Sequence, residues 1–374
     1  MKLRFAALAA LLSSTCVAQA GGIDRSGQSI DALFAEGRYG EISLGYASPD
    51  TSGTGNLLLG GGNSGNATDN FLTPGAAYKA DINDRLSYAI IYDQPFGADI
   101  DYPGGTSYFA AGSTAEFNSH ALTGLMRYRM PSNFSFHGGL RVQSIEATAN
   151  IPFVTAAAGP NPGAPYTAKG DRDIGLGYVA GVAYERPDIA LRVSLTYNSR
   201  IKHTIDTTET SFLPSPAQTR TDVETPQSIN LAFQTGIAED TLLFGGLRWT
   251  EWSDFTIDPA VYQSIAGTPL VSFEDDRYTW SLGVARKLTD MWSVAATLGY
   301  EHSTGNPTSN LGPTDGFRSI ALAGIYTQDN VQITTGIRYI RTGDAQTQVG
   351  ALVPGGTFED NDAVAIGVKV GYRF

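Results

Sequence analysis

Residues 362–374, at the end of the chain, read Asp-Ala-Val-Ala-Ile-Gly-Val-Lys-Val-Gly-Tyr-Arg-Phe and alternate without a break. One face carries only apolar side chains: Val364, Ile366, Val368, Val370, Tyr372 and Phe374. The other face carries small or charged residues: Ala365, Gly367, Lys369, Gly371 and Arg373. A period of two with these faces suits a strand that meets lipid on one side and a wet lumen on the other. The stretch therefore predicts a transmembrane β-barrel, with the edge strand of a soluble sandwich as the alternative.

The first twenty residues, 1–20, have the order of a secretory signal peptide. A basic start with Lys2 and Arg4 precedes an apolar stretch, and Ala18-Gln19-Ala20 supplies a small-residue cleavage site. The single cysteine, Cys16, lies inside this segment. We therefore expect a mature chain without a disulfide, a thiol nucleophile or a cysteine metal site.

Composition narrows the class of protein further. The chain has 43 Gly, 18 Tyr and 17 Phe with only 17% charged residues, and its mean hydropathy is −0.12. Beyond the signal peptide there is no apolar run of the roughly 18 to 20 residues that a spanning helix needs, so any membrane span must be a strand. A formal charge of −12 makes nucleic acid an unsuitable partner.

Turn signals give the number of strands. Short polar breaks, each flanked by alternating strands, occur at 81–85, 130–133, 186–188, 238–240, 289–291 and 328–330. Longer stretches rich in Gly, Pro, Ser, Thr and Asn lie between them, at 49–69, 98–113, 150–170, 206–222, 258–275, 303–316 and 345–361. Six short turns and seven long loops predict an all-β chain, a fourteen-stranded antiparallel barrel over residues 41–374.

The seventh predicted strand shows which side chains should face the lumen. Its apolar face runs from Ile189 through Leu195 to Tyr197. If the alternation continues, the opposite face places three cations in the lumen: Arg192, Arg200 and Lys202. These cations favour a pore for hydrophilic solutes, or one or two of them could meet the carboxylate of a fatty acid.

Residues 21–40 precede the first clear strand and form a separate N-terminal segment. Ile30, Leu33 and Phe34 could make one apolar helical turn that faces a ligand or the barrel wall. We predict that this segment is a short hatch inside the lumen. The alternative is a disordered tail on the periplasmic side.

The third predicted strand is interrupted. It runs for eight residues from Leu86 to Asp93 and then meets Gln94, followed by Pro95, Phe96 and Gly97. Proline has no N–H to donate to a ladder, and glycine weakens a strand, so we predict a kink or an opening in the wall. Unpaired backbone in a membrane persists where it lines a cavity or a side gate. The alternative is that the strand ends early and Pro95 begins an outer loop.

Four segments resemble, in the same order, segments of the FadL-type transporters of long-chain fatty acids and aromatic hydrocarbons. These are residues 197–202 (YNSRIK), 225–231 (TPQSINL), 249–255 (WTEWSDF) and 371–374 (GYRF). The resemblance implies a fourteen-stranded barrel with an N-terminal hatch, and passage of apolar molecules from an outer site to a side opening. It also implies that the terminal aromatics, Tyr372 and Phe374, belong to the signal read by the barrel-insertion machinery. Typical members have a longer hatch with an Asn-Pro-Ala element, which is absent from this sequence.

Catalysis is not indicated by any motif. The four histidines, at 120, 137, 203 and 302, lie on separate predicted strands and loops, and no nucleophile motif, phosphate loop or metal-ligand spacing is found. We expect no enzymatic activity, no cofactor and no metal. An acidic loop at 359–362 could hold a divalent ion between lipopolysaccharide groups, although a solvated loop is the simpler interpretation.

Three functions fit these observations. The first is an outer membrane transporter for hydrophobic small molecules, which the N-terminal segment, the break at Pro95 and the resemblance favour. The second is a general diffusion porin for small hydrophilic solutes, and the third is a structural or adhesive barrel. The expected partners are an apolar substrate, outer membrane lipid, lipopolysaccharide and the insertion machinery, and we expect a monomer.

Overall fold

The computed structural model describes residues 23–152, 165–211, 215–349 and 353–374. The predicted signal peptide and the two glycines after it, Gly21 and Gly22, lie outside the described residues. In chain order the strands are β1 (Tyr39–Asp50), β2 (Gly53–Gly55), β3 (Phe71–Asp81), β4 (Leu86–Asp93), β5 (Gly97–Asp101), β6 (Thr114–Arg129), β7 (Phe134–Ile151), β8 (Tyr166–Arg186), β9 (Leu191–Asn198), β10 (Ile201–Thr210), β11 (Ala217–Thr225), β12 (Ser228–Ala238), β13 (Thr241–Thr250), β14 (Thr256–Ile257), β15 (Val271–Ser272), β16 (Arg277–Lys287), β17 (Trp292–Glu301), β18 (Phe317–Gln328), β19 (Val331–Thr342), β20 (Ala345–Val349), β21 (Val353–Phe358) and β22 (Asp362–Arg373).

Helical structure is sparse. Among the described residues, one short α-helix, α1 (Ala260–Ala266), lies in a long loop, and 3-10 turns occupy Asp31–Phe34, Leu57–Leu59 and Pro187–Ile189. No helix in the described ranges is long and apolar enough to cross a membrane.

The main sheet is antiparallel and closes on itself, because β1 pairs with both β3 and β22. Seventeen of the strands belong to it. They make fourteen spans, since three spans consist of two consecutive strands each: the third (β4 and β5), the seventh (β9 and β10) and the eighth (β11 and β12). The predicted fold class, a fourteen-stranded antiparallel barrel, is confirmed.

Burial along β22 shows which face is outside. Ala365 and Lys369 are buried, whereas Val364, Ile366 and Val368 are exposed, the last of these to 46%. Because a strand side chain points to alternate faces, the apolar row faces away from the lumen, as lipid contact requires. The predicted faces of this strand are therefore correct.

The six short turns lie where the polar breaks predicted them. Asn133, Asp240 and Asp329 have φ of 67°, 55° and 50° there, a left-handed conformation that Asn and Asp tolerate better than other side chains. Aromatic pairs flank these turns, with ring centroids 4.9 Å apart for Phe134 and Tyr184 and 5.0 Å apart for Trp292 and Tyr326. This is the short-turn end of the barrel, and the opposite end carries the long loops.

Three predicted loops are partly wrong. Residues 98–101, in the predicted loop 98–113, belong to β5. Residues 166–170, 206–210 and 217–222 continue the strands β8, β10 and β11 rather than forming loops. Their polar composition suggested loops, but Thr-rich strands pair well across a ladder, as Thr207 and Thr219 do. The sixth, seventh and eighth spans therefore rise further at the long-loop end than expected.

Candidate functional site

The N-terminal segment, residues 23–38, lies inside the barrel. Leu33 has 0% exposure, and Ile30 and Phe34 are buried with it against wall residues of the second to sixth spans. Wall residues in this cluster include Ala77, Ile91, Leu125 and Val179. Leu33 and Phe34 thus lie in a 3-10 turn, with Ile30 directly before it, and all three pack on the barrel wall.

Phe34 is held between two cations. The guanidinium carbons of Arg127 and Arg192 each lie 4.6 Å from the centroid of its ring, a distance at which cation–π attraction is favourable. The ring of His137 meets Phe34 edge-on at 5.8 Å. Arg192 also forms an ion pair of 3.0 Å with Asp31. Arg192 therefore faces the lumen and holds the N-terminal segment.

A second set of polar contacts fixes the start of this segment on the opposite wall. Arg248 pairs with Asp24 at 2.6 Å, and the hydroxyl of Ser228 donates to Gln28 at 2.9 Å. The amide of Asn230 donates to the carbonyl of Gly27 at 2.9 Å. Removal of one partner from a buried ion pair such as Arg248–Asp24 usually costs about 3–5 kcal/mol of stability. The segment is accordingly anchored from the seventh to the ninth span.

The break in the third span turns inward and joins the N-terminal segment. The amide of Arg25 donates to the carbonyl of Pro95 at 2.8 Å, and the amide of Gly97 donates to the carbonyl of Ile23 at 2.8 Å. A Cβ on Gly97 would overlap the guanidinium of Arg25, so only glycine fits there without movement. Arg25 is paired with Asp99 as well.

The third span continues beyond this break, so the interpretation that it ends early at Pro95 is wrong. β4 pairs with β6 as far as Asp93 opposite Ala121, and β5 resumes at Gly97 opposite Asn118. The third span thus advances four residues, from Asp93 to Gly97, while the fourth span advances three, from Ala121 to Asn118. The third span carries one extra residue, which is the definition of a bulge.

An opening in the wall lies beside the bulge. The second and third spans pair from Asp81 only as far as Ala76 opposite Tyr92. Within the described residues, 71–75 pair with the first span alone, and contact with the third span returns at Thr68 opposite Ile100. A cavity of about 80 Å³ fills the opening and reaches the lipid-facing residues Leu44 and Val368.

An apolar cluster occupies the lumen towards the long loops. Trp252 and Phe255, which follow the ninth span, are almost fully buried. Phe96, from the break, meets Trp252 edge-on with ring centroids 5.5 Å apart. A cavity of about 60 Å³ beside them is lined by residues from six spans and two loops, among them Ala98, Phe117, Ala147, Ile205, Ile257 and Leu311. This cavity is the outer pocket.

The sequence did not predict the outer pocket. Trp252 and Phe255 lie in the segment that carries the family resemblance, but nothing in their local pattern indicates that they lie in the lumen. Ile205 could have been found, because Ile201, His203 and Ile205 alternate with the polar residues at 202, 204 and 206.

A loop structure covers the outer pocket. Glu209 accepts hydrogen bonds from the backbone amides of Val261 and Tyr262 at 3.0 and 3.1 Å and from the hydroxyl of Tyr166 at 2.9 Å. These bonds tie α1 to the seventh span. Burial raises the pKa of Tyr262 to about 12, and burial together with the negative Glu209 raises the pKa of Asp258.

A cavity of about 240 Å³ runs beside the N-terminal segment along the seventh to thirteenth spans. Its lining is mainly small or polar, with Ser194, Thr196, Thr279, Ser281 and Ser319. Three arginines also reach it: Arg192, Arg248 and Arg338. The lumen thus has a polar side and an apolar outer pocket.

The prediction that Arg200 and Lys202 face the lumen is wrong. Asn198 and Ile201 are both buried, so the two residues between them shift the alternation by one position. The side chain of Lys202 is 84% exposed. Arg200 is 38% exposed and pairs with Glu224, Glu251 and Asp254 instead of lining the lumen.

The terminal aromatics lie on the outer face at the short-turn end. Phe374 is 68% exposed, and its ring lies 4.9 Å from that of Tyr372 and 6.2 Å from that of Tyr78, measured between centroids. The Phe374 amide donates to the carbonyl of Arg38 at 3.0 Å.

Two of the histidines, His203 and His137, make structural contacts. Asp173 lies 2.9 Å from Nδ1 of His203, while Nε2 faces the Gln143 amide oxygen at 3.3 Å rather than a nucleophile. His137 Nε2 lies 2.9 Å from the Thr196 hydroxyl. No group of three or more His, Cys, Asp or Glu residues suited to a metal ion occurs in the described ranges.

Comparison with known proteins identifies the family. The family model described as "outer membrane protein transport protein (OMPP1/FadL/TodX)" matches residues 14–374. The chain belongs to this family. It is accordingly an outer membrane barrel, with the short turns on the periplasmic side and the long loops outside. No curated protein matches the sequence.

Solved structures share the fold at low sequence identity. A FadL homologue from Pseudomonas aeruginosa has a TM-score of 0.74 at 15% identity, covering 92% of each chain. The toluene transporter TodX of P. putida has a TM-score of 0.66 at 14% identity, covering 96% of this chain and 99% of its own. The toluene transporter TbuX of Ralstonia pickettii has a TM-score of 0.64 at 12% identity, covering 92% of each chain.

Proposed function

We propose that this protein carries hydrophobic small molecules, such as long-chain fatty acids or aromatic hydrocarbons, across the outer membrane by diffusion. One observation carries the proposal: the inward-turned break of the third span connects the outer pocket to the side opening. Phe96 packs in the apolar cluster of the pocket, while Gln94 and Asp93, two and three residues earlier, line the opening. Two structurally similar proteins are named as toluene transporters.

The outer pocket supplies the affinity. Burial of apolar surface contributes about 0.8 kcal/mol per methylene, and Phe117, Ile205 and Phe255 offer that surface. Aromatic rings with edge-to-face contacts, such as Phe117 and Phe255 at 6.1 Å, also suit an aromatic guest. A substrate would enter this pocket from the outside, beneath the loops.

The N-terminal segment acts as a hatch that makes the exit lateral. Its ion pairs with Arg192 and Arg248 and its backbone bonds to Pro95 and Gly97 keep it in the lumen below the pocket. A substrate would therefore pass the break and leave between the second and third spans into the membrane. The extra residue in the third span keeps that exit open.

The porin alternative has one supporting observation, the polar cavity of about 240 Å³. Two of its arginines, Arg192 and Arg248, are already paired with the N-terminal segment. The cavity fits solvent beside the hatch better than a charged constriction. An adhesive or structural barrel would need neither the pocket nor the opening.

We also propose that the insertion machinery reads Tyr372 and Phe374. Both rings lie on the lipid-facing side, where a partner can reach them before the barrel closes. Outer membrane lipid and lipopolysaccharide surround the spans. The protein acts as a monomer without a cofactor.

Uptake and binding test the transport proposal together. Cells that make the protein should take up radiolabelled toluene or oleate faster than cells that lack it, and purified protein should bind the same compound. Organic extraction of the purified barrel followed by mass spectrometry should find apolar compounds. Rapid swelling of protein-containing liposomes in small sugars, without uptake of apolar compounds, would support the porin instead.

A further inference from the structure

The side opening is more polar than a passage for hydrocarbon requires. Its cavity is lined by Asp31, Glu41, Ser43, Thr73, Asp93 and Gln94, together with apolar Leu44 and Val368 at the lipid side. Polar side chains in a membrane wall are costly unless each finds a partner. Their partners therefore show what kind of molecule the opening can accept.

Two of the three carboxylates are engaged by protein groups. Asp31 pairs with Arg192 at 3.0 Å. Glu41 accepts a hydrogen bond from the Tyr39 hydroxyl at 2.8 Å and lies 3.8 Å from the ammonium of Lys369. These acids are satisfied within the barrel.

Asp93 is only half satisfied. Its Oδ2 accepts a hydrogen bond from the Ser26 hydroxyl, but its buried Oδ1 has no donor among the described residues. The neighbouring amide oxygen of Gln94 is also buried without a donor there. Asp93 and Gln94 both line the cavity of the opening, and each carries one buried oxygen without a donor among the described residues.

Arg25 is the one cation among the described residues that line the cavity. It is paired with Asp99, and its guanidinium lies 4.2 Å from the centroid of the Phe71 ring. A ligand carboxylate would therefore find no unpaired cation in the lining and would lie beside the carboxylate of Asp93. A hydroxyl, in contrast, would supply the donor that Asp93 lacks.

We propose that the side opening binds the hydroxyl group of a neutral amphipathic molecule, such as an alkylphenol or a long-chain alcohol. The ligand O–H donates to Oδ1 of Asp93, and the apolar part lies against Leu44 and Val368 towards the lipid. This inference rests on the proposed function and narrows its substrate class. It favours hydroxylated compounds over pure hydrocarbons and over ionised acids.

Three ligands of one carbon skeleton test the proposal: 4-ethylphenol, ethylbenzene and 4-ethylbenzoate. Binding to the full-length barrel in detergent at neutral pH is measured by calorimetry. A hydrogen bond that satisfies a buried acceptor predicts about ten-fold or tighter binding of 4-ethylphenol than of ethylbenzene, and 4-ethylbenzoate should bind weakest. Equal affinities of 4-ethylphenol and ethylbenzene for the wild type would overturn the inference.

Variants locate the acceptor. Asp93→Leu should abolish the preference for 4-ethylphenol over ethylbenzene. Asp101→Leu, which removes an exposed carboxylate from the same span, should retain the preference. If Asp93→Leu does not fold, Asp93→Asn replaces it, and the preference should fall several-fold because the charge is lost. A full preference in a folded Asp93 variant contradicts the assignment.

The transport proposal and the inference about hydroxyl binding would be contradicted by different results. Uptake of ethylbenzene by wild-type cells without any preference for 4-ethylphenol would remove this inference and leave the transport proposal intact. Failure of the protein to bind or take up any of the apolar compounds would remove the transport proposal and the inference with it.

Discussion

The wall is interrupted in two places, and the two interruptions differ in what fills them. Between the second and third spans, pairing stops at Ala76 opposite Tyr92, and a cavity reaches the lipid face. Between the sixth and seventh spans, pairing stops at Val179 opposite Asn198 and resumes at Gly170 opposite Thr207. No ladder pair joins residues 171–178 to 199–206 in this described part of the chain.

Side chains close the second interruption. Ile201 packs over Gly177 and Gly175, where a Cβ would lie 2.6 and 2.5 Å from its side-chain carbons. His203 pairs with Asp173 across the same seam. We infer that loss of ladder pairing does not by itself make a portal, because the side chains that replace the ladder decide whether the wall is open.

The two interruptions of the wall also differ in strand register. The third span has one residue more than its neighbour over the bulge, whereas the seventh and eighth spans break together. Asn198 opposes Ser228 below their breaks and Ile201 opposes Thr225 above them, so two residues are unpaired on each side. The seventh and eighth spans break at the same level, so both bend and they stay paired with each other. The third span breaks without a matching break in its neighbour, and it separates from the second span.

Deletion of Pro95 should have the largest effect, because it removes the extra residue. Asp93, Gln94, Phe96 and Gly97 would then oppose four consecutive residues of the fourth span, with Asp93 and Phe96 still facing the lumen. We expect uptake of labelled toluene or oleate to fall to the level of cells lacking the protein, while binding in the outer pocket persists.

Pro95→Ala is the matched control, since it restores an N–H but keeps the residue count. Uptake by this variant should stay close to the wild-type rate. Normal uptake by a well-folded deletion variant would argue against an exit at the bulge. Replacement of Gly97 by valine is a less specific test, because its side chain would displace Arg25 and disturb the hatch.

Alternation made most of the barrel predictable from sequence. Lipid and water impose opposite demands on successive residues, so spans and turns can be found locally, and proline at 95 identifies a break because it lacks an N–H. The break at Ser199 and Arg200 contains neither proline nor glycine. Its signal is the reversed alternation after it, where Ile201 and Ile205 face inward and Lys202 faces out.

The outer pocket was harder to predict for a different reason. Ile23, Phe117, Ile205 and Trp252 come from the N-terminal segment, two spans and a loop that are far apart in sequence. Each is an ordinary apolar residue in its own segment. Only the closure of the barrel and the inward turn at Phe96 bring them together.

Gly177→Ala tests whether the seam between the sixth and seventh spans is closed by packing. The new methyl would lie 2.6 Å from Cγ1 of Ile201 and 2.8 Å from the Ser199 hydroxyl oxygen. Such overpacking should lower the free energy of unfolding by about 1–3 kcal/mol. Urea unfolding in lipid vesicles measures it, and uptake per folded molecule should not change.

Ile201→Ala combined with Gly177→Ala provides the control. The shorter side chain makes room, so the double variant should lose less stability than the sum of the two single variants, by about 0.5 kcal/mol or more. Additive losses would show that Ile201 does not fill the space above Gly177.

Arg200→Gln and Lys202→Gln should have the smallest effects. Arg200 lies at the break of the seventh span with a side chain 38% exposed, and of its partners Asp254 is exposed while Glu224 and Glu251 are half-buried. Exposed ion pairs contribute about 0–1 kcal/mol and are screened by salt. The loss of unfolding free energy should therefore be below about 1 kcal/mol and shrink at high salt. Lys202→Gln should change the free energy of unfolding even less, because that side chain is 84% exposed.

Uptake of oleate should be normal in both variants, since neither Arg200 nor Lys202 lines the path. A specific loss of oleate uptake, with toluene uptake unchanged, would show instead that one of these cations meets the carboxylate of an acidic substrate before it enters the outer pocket.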